Sequence, residues 1–135
     1  MEIVLHNRPG EKQRLVGALE AFTAEHGLPA KVHQAAELAL EEHVTNVVNY
    51  AYTDNAPHEI RVRLSCDACA LYVEVEDDGK AFNPLTAPQV DTSVPLERRP
   101  VGGLGIHLMR QFMDTLEYRR EGGRNILRLT KHLAA

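Results

Sequence analysis

Two runs of strict alternation, separated by one short turn, constrain this chain more than any other feature. Ile60, Val62, Leu64 and Cys66 share one parity, and Arg61, Arg63 and Ser65 share the other. The pattern resumes as Leu71, Val73 and Val75 against Ala70, Tyr72, Glu74 and Glu76. Side chains of a strand alternate between two faces, so each run reads as a strand with one apolar and one polar face. With Asp67-Ala68 as a two-residue turn, Val62 faces Val73 and Arg61 faces Glu74. Core then meets core and charge meets opposite charge, as a self-consistent hairpin requires.

The rest of the chain supplies the partners such a hairpin needs. Met1–His6 reads as a strand. Leu15, Ala18, Leu19 and Phe22 recur at helical spacing until Gly27-Leu28-Pro29, and a longer helical stretch runs from about Ala30 to Tyr52. Leu104 to Met113 is helical, and Leu116–Arg120 with Asn125–His132 forms a closing hairpin around Gly122-Gly123. The order β-α-α-β-β-α-β-β predicts an α+β fold, a two-layer α/β sandwich with a mixed, mostly antiparallel sheet and helices on one face. No repeat or linker divides the 135 residues, so residues 1–135 are expected to form a single domain able to bury a core without a staple. Cys66 and Cys69 have no second Cys pair or suitably spaced His, and are expected as two small buried thiols rather than a zinc site. A net charge of −4 gives no footprint for nucleic acid or for a membrane surface, and no apolar run is long enough to span a bilayer. A cytoplasmic protein is expected, with no direct nucleic-acid or membrane partner.

Three groups of residues could carry chemistry. On the long helix, Glu42, Asn46 and Asn49 fall within an arc of roughly 60°, opposite Leu40, Val44, Val47 and Ala51. They read either as a solvated face or as a base one turn before a hard-cation ligand suited to Mg²⁺. In Asp77-Asp78-Gly79-Lys80-Ala81-Phe82, the alternation that turns Val75 inward also turns Asp77 inward. That carboxylate either caps local backbone amides or accepts from a ligand such as an exocyclic amine. Gly102-Gly103-Leu104-Gly105-Ile106 is a glycine-rich loop entering a helix, either a flexible turn or a phosphate seat. Before it, Asn83 to Gly102 holds four of the seven prolines and no periodicity, the character of a lid or a disordered segment.

In this order the three groups resemble the Bergerat-type ATP-binding fold of histidine kinases, gyrase-type topoisomerases, the large heat-shock chaperone and the mismatch-repair ATPases. Glu42-His43-Val44-Thr45-Asn46-Val47-Val48-Asn49 resembles its N box, Asp77-x-Gly79-x-Ala81 its first glycine box and Gly103-Leu104-Gly105 its second. The likeness is greatest to the small anti-sigma-factor serine/threonine kinases of bacteria. It covers nearly the whole chain, including Pro95-Leu96-Glu97-Arg98 and the ending Leu129-Thr130-Lys131-His132-Leu133. The resemblance implies Glu42 as general base for the acceptor serine, Asn46 as Mg²⁺ ligand, and Asp77 as acceptor of the adenine amino group. It places Asn49, Gly79 and Ala81 around ATP, with Gly103, Leu104 and Gly105 as the backbone seat of the phosphates and a lid over residues 83–102. Asn125 sits where relatives often carry threonine near the adenine, and Ala81 where they often carry glycine. The implied function is an ATP-dependent protein-serine kinase and anti-sigma factor. Its substrate would be a STAS-domain anti-anti-sigma protein, its second partner a sigma factor, and its assembly a homodimer. The alternative is a nucleotide-gated partner-binding module without kinase activity.

Overall fold

A computed structural model describes residues 1–8, 10–52, 54, 56–86 and 109–134. Its elements in chain order are β1 (Glu2–His6), α1 (Lys12–Glu25), α2 (Ala30–Tyr50), β2 (Glu59–Cys66), β3 (Ala70–Asp77), β4 (Thr115–Glu121) and β5 (Arg124–His132). Residues 109–112 are also helical, and Pro84–Thr86 forms a 3-10 turn. The five strands make one sheet in the order β1-β2-β3-β5-β4, and every pairing is antiparallel. The closing hairpin therefore docks its second strand, β5, against β3 and leaves β4 at the edge.

The two faces of the sheet divide as the alternation requires. Leu5, Ile60, Val62, Leu64, Val73, Val75, Leu127 and Leu129 are buried on the inner face, in one core with α1, α2, Met109 and Met113. Helix α2 brings short residues, Ala35, Ala36 and Ala39, to its buried side, which lets its axis lie close to its neighbours. On the outer face charges interlock. Arg63 pairs with Glu2 at 3.0 Å, Arg124 with Glu76 at 3.2 Å and Arg119 with Glu74 at 3.4 Å. The Arg128 guanidinium lies 4.6 Å from the centre of the Tyr72 ring. Exposed pairs of this kind contribute little each, so the cohesion of the fold resides on the inner face. Among the described residues, no helix is long and apolar enough to cross a membrane.

The central hairpin differs from expectation in its turn. Val62 pairs with Val75, Arg63 with Glu74 and Arg61 with Glu76. The register has moved by two residues, so the faces are kept while the partners change. The reason is Asp67, which opens the turn rather than sitting inside it. Its Oδ1 accepts from the backbone N–H groups of Cys69 (2.8 Å) and Ala70 (2.9 Å), and its Oδ2 accepts from the Tyr72 hydroxyl (2.8 Å). The turn residues are thus Ala68 and Cys69. Cys69 is consequently exposed and Cys66 half-buried, not the two buried thiols expected. The expected lid over residues 83–102 lies outside the described residues apart from 83–86, as do Gly103, Leu104 and Gly105.

The Asp67 bonds yield a prediction. The Cys69 N–H, with the Tyr72 hydroxyl and Ala70 N–H, holds the Asp67 carboxyl below its ordinary value of 3.8. A depressed folded pKa stabilises the protein fully above the unfolded value, and the contribution is lost as pH falls through the folded one. Asp67→Ala should therefore lower the melting temperature at pH 7, with a deficit that narrows as pH drops below 3.8. Thermal melts of both proteins across pH 7 to 2.5, about the limits of carboxylate titration, check this. A deficit independent of pH would contradict it.

Candidate functional site

Asp77 ends β3 on the inward parity, and Asn125 stands directly opposite it on β5. Asp77 is 2% exposed. Its Oδ1 accepts from the Gly79 N–H at 2.9 Å and from the Asn125 amide at 3.0 Å. Burial pushes the Asp77 carboxyl up from its ordinary value, while these two donors pull it down. Asn125 is itself buried, and its second amide hydrogen goes to the Lys80 carbonyl at 2.8 Å. Its Oδ1 accepts from the Tyr118 hydroxyl at 2.6 Å, Arg120 Nη1 at 3.0 Å and the Phe82 N–H at 3.3 Å. Only one orientation of the amide satisfies all five contacts, so Asn125 is fixed and fixes Asp77.

The loop after β3 is pinned to the end of α2. The Lys80 N–H donates to the Ala51 carbonyl at 2.9 Å, satisfying one of the orphan carbonyls of a helix terminus. Gly79 lies against the same residue. A Cβ there would fall 2.5 Å from the Ala51 Cβ and 2.6 Å from its carbonyl oxygen, so only glycine fits. Arg120 Nη1 closes the loop from the other side by donating to the Gly79 carbonyl at 2.9 Å. The Asp-x-Gly spacing thus serves the packing of helix against loop as well as any ligand.

Between α2 and the Asp77–Asn125 pair lies a cavity of about 220 Å³. Val47, Ala51, Phe82 and Leu127 supply apolar walls, and Asp77, Asn125, His43 and Asn46 supply the polar groups. Apolar walls with a few fixed polar groups are the usual make-up of a small-molecule site. The volume is below the ~300 Å³ typical of whole-ligand pockets, and suits one planar ring system. Two residues of its wall carry a buried side-chain nitrogen with no hydrogen-bond partner, Asn46 at Nδ2 and His43 at Nδ1. Burial pushes the His43 imidazole down to about 4, so it is neutral at pH 7.

The polar arc of α2 is divided by its neighbours. At about 100° per residue, Asn46 lies on the shoulder that leads to His43, Val47 and Ala51, and it lines the cavity with them. Asn49 lies on the other shoulder, exposed, and lines a separate hollow with Glu41, Thr45, Val48, Arg8, Glu11 and Lys12. Glu42 is half-buried between them, one turn before Asn46, and among the described residues it has no hydrogen-bond or ion-pair partner. Ala81 is exposed beyond the pinned loop, and Gly103, Leu104 and Gly105 lie outside the described residues. The structure thus brings together Asn46, Asp77, Gly79 and Asn125, with Glu42 adjacent and Asn49 on the far shoulder.

Three contributors escape the sequence reading, His43, Tyr118 and Arg120. Tyr118 and Arg120 follow from the inward parity of β4, which pairs Arg120 with Asn125. His43 follows from its place one turn before Val47 on the buried side of α2. Among the described residues, no three His, Cys, Asp or Glu side chains are placed to hold a metal ion. The Asn46 amide, with no structural bond to make at its nitrogen, is free to turn its oxygen to a hard cation that shares phosphate and water ligands.

A family model described as the histidine kinase-like ATPase domain matches residues 5–131. The chain is 32% identical over 105 residues to the serine/threonine-protein kinase BtrW of Bordetella bronchiseptica, covering 78% of this chain and 74% of that protein. It is 33% identical over 104 residues to the anti-sigma F factor of Heyndrickxia coagulans, covering 73% and 68%. Among solved structures, the RsbU and RsbW domains of a Mycobacterium tuberculosis protein align with a TM-score of 0.68 at 16% identity, over 98% of this chain and 32% of that one. The histidine kinase domain from an Erythrobacter litoralis blue-light activated kinase aligns with a TM-score of 0.60 at 20% identity, over 91% and 59%. At these identities the solved structures speak for the fold alone.

The buried imidazole makes stability depend on pH. His43 falls from 6.5 unfolded to about 4 folded, so the unfolded chain takes up a proton that the native chain refuses. Its contribution is complete above 6.5 and is lost as pH falls toward 4, roughly 3 kcal/mol for a shift of this size. Urea unfolding of the wild type and His43→Leu across that range should give curves that diverge on acidification, the wild type losing more. Parallel curves would show that the imidazole titrates alike in both states.

Proposed function

The chain belongs to the histidine kinase-like ATPase domain family, alongside the anti-sigma-factor serine kinases of bacteria, and from that premise we propose how it works as an ATP-dependent protein-serine kinase. The substrate is the serine of a STAS-domain anti-anti-sigma protein, and a sigma factor is the second partner, held by a kinase homodimer. The observation that carries the nucleotide assignment is the Asp77 carboxylate, buried and clamped by Asn125 at the wall of an apolar cavity sized for one ring system. A carboxylate can only accept, so it selects a base that offers an exocyclic amine, as adenine does and a 6-oxo purine does not at that position. Gly79 lets the backbone approach closely, and Ala81 and Asn125 border the same loop.

Transfer of a phosphoryl group requires positioning and charge neutralisation more than covalent help. Asn46 would hold Mg²⁺ through its amide oxygen, and the ion when bound neutralises phosphate charge. The N–H groups of Gly103, Leu104 and Gly105 are the proposed phosphate seat, under a lid over residues 83–102, with Asn49 on the outer shoulder of the helix. Glu42, with no ion pair among the described residues, accepts the proton of the serine hydroxyl as the serine oxygen attacks the terminal phosphorus and the bond to ADP breaks.

Incubation with Mg-ATP and STAS-domain proteins, followed by detection of phosphoserine, tests this reading. Glu42→Gln should keep ATP affinity within about twofold and reduce transfer by at least ~100-fold, the usual worth of a general base. Asp77→Asn should weaken ATP and ADP alike and relax discrimination against GTP, measured by calorimetry. Near-normal transfer by the Gln variant would remove Glu42 from the role. ATP binding without phosphoserine on any STAS protein would point to a nucleotide-gated binding module instead.

A further inference from the structure

One polar side chain at the cavity wall is used neither by the fold nor by the phosphoryl transfer proposed above. His43 is 5% exposed and lines the cavity, yet its Nδ1 is buried with no hydrogen-bond partner. A buried polar group in that state costs the desolvation of the group with no return. The neighbouring buried positions of the same helix are Leu40, Val44 and Val47, and a leucine would fill this one without that cost. Native structures carry few such groups, and they concentrate where a ligand completes them.

The ligand's own chemistry states what is missing. Adenine offers an amine as donor and ring nitrogens as acceptors, so a site holding only Asp77 would read half of its edge. The remaining reader must donate. The Tyr118 hydroxyl and both amide hydrogens of Asn125 are already committed within the protein. Among the described residues, the uncommitted side-chain donors at the cavity are His43, Asn46 and Lys80. Lys80 is exposed, and a strongly hydrated ammonium keeps to water. Asn46 is the group offered to the metal and phosphates. We infer that His43 is the second base-reading residue, its imidazole N–H donating to a ring nitrogen of adenine while Asp77 accepts from the exocyclic amine. This rests on the assignment of the cavity to an adenine nucleotide. Because the imidazole is neutral at pH 7, it brings no charge into an apolar pocket and keeps one nitrogen protonated to donate.

Calorimetry on the full chain with ATP and its 1-deaza, 3-deaza and 7-deaza analogues tests the inference, using His43→Leu and His43→Gln. The wild type should bind one analogue about tenfold more weakly than ATP, the effect of one unmatched hydrogen bond. His43→Leu should bind ATP itself about tenfold more weakly and lose nothing further with that analogue. His43→Gln, which can still donate, should recover part of the affinity. Without nucleotide, His43→Leu should melt at or above the wild type at pH 7, since it removes an unsatisfied polar group. Unchanged ATP affinity in both variants would overturn the inference, as would an analogue penalty that persists in His43→Leu. If the leucine variant melts lower, His43→Phe, which keeps a buried planar ring without a donor, carries the decision, and normal affinity for ATP with an unchanged analogue penalty there rejects the inference. Failure of the nucleotide assignment reads differently, as no ATP binding by the wild type and no effect of Asp77→Asn.

Discussion

The hydrogen bond between Asp77 and Asn125 is the constraint on which the rest of the site depends. It joins the ends of two strands that are remote in sequence, and it buries a carboxylate that would otherwise be costly to enclose. Because Asn125 also receives Tyr118 and Arg120 and donates to the Lys80 carbonyl, one amide ties β3, β4, β5 and the loop after β3 into a rigid unit. Asp77 also lines the cavity, and under the proposed function its second carboxylate oxygen would accept from a ligand donor there.

The second support is steric. Gly79 and the Lys80 N–H fasten the loop to Ala51 at the end of α2, so the helix that carries Glu42, Asn46 and His43 is held at one distance from Asp77. A helix docked by its terminus in this way cannot slide or turn without breaking a satisfied carbonyl. The polar arc of α2 then acquires two meanings. One shoulder opens into the cavity through Asn46 and His43, and the other opens onto the α1 side through Asn49. A helical wheel shows residues that share an arc, and only the neighbours decide which side of the arc is a site.

Much of the fold was legible because its strands bury one face each. Alternation in Ile60–Cys66 and Leu71–Val75 marked inner and outer residues correctly, and the inward parity of Asp77 survived a shift in register because the shift was by two. The turn was misplaced because Asp67 fits either inside a turn or at its start. Three local bonds to Cys69, Ala70 and Tyr72 settle the choice. Asn125 was reachable from the alternation of Leu127 and Leu129, whereas its pairing with Asp77 needed the order of strands, which no local pattern encodes.

The sequence by itself determined the types of the described elements, the α+β class and the inward carboxylate at the end of β3. These follow from periodicity and spacing, which are local properties of the chain. Tertiary structure alone decided that β5 lies between β3 and β4, that Asn125 clamps Asp77, and that Gly79 is required by the Ala51 Cβ. It also decided that His43 stands buried and unpartnered at the cavity wall. In each case the deciding contact joins residues far apart along the chain, and burial, which sets the cost of an unmet hydrogen bond, exists only once those residues are brought together.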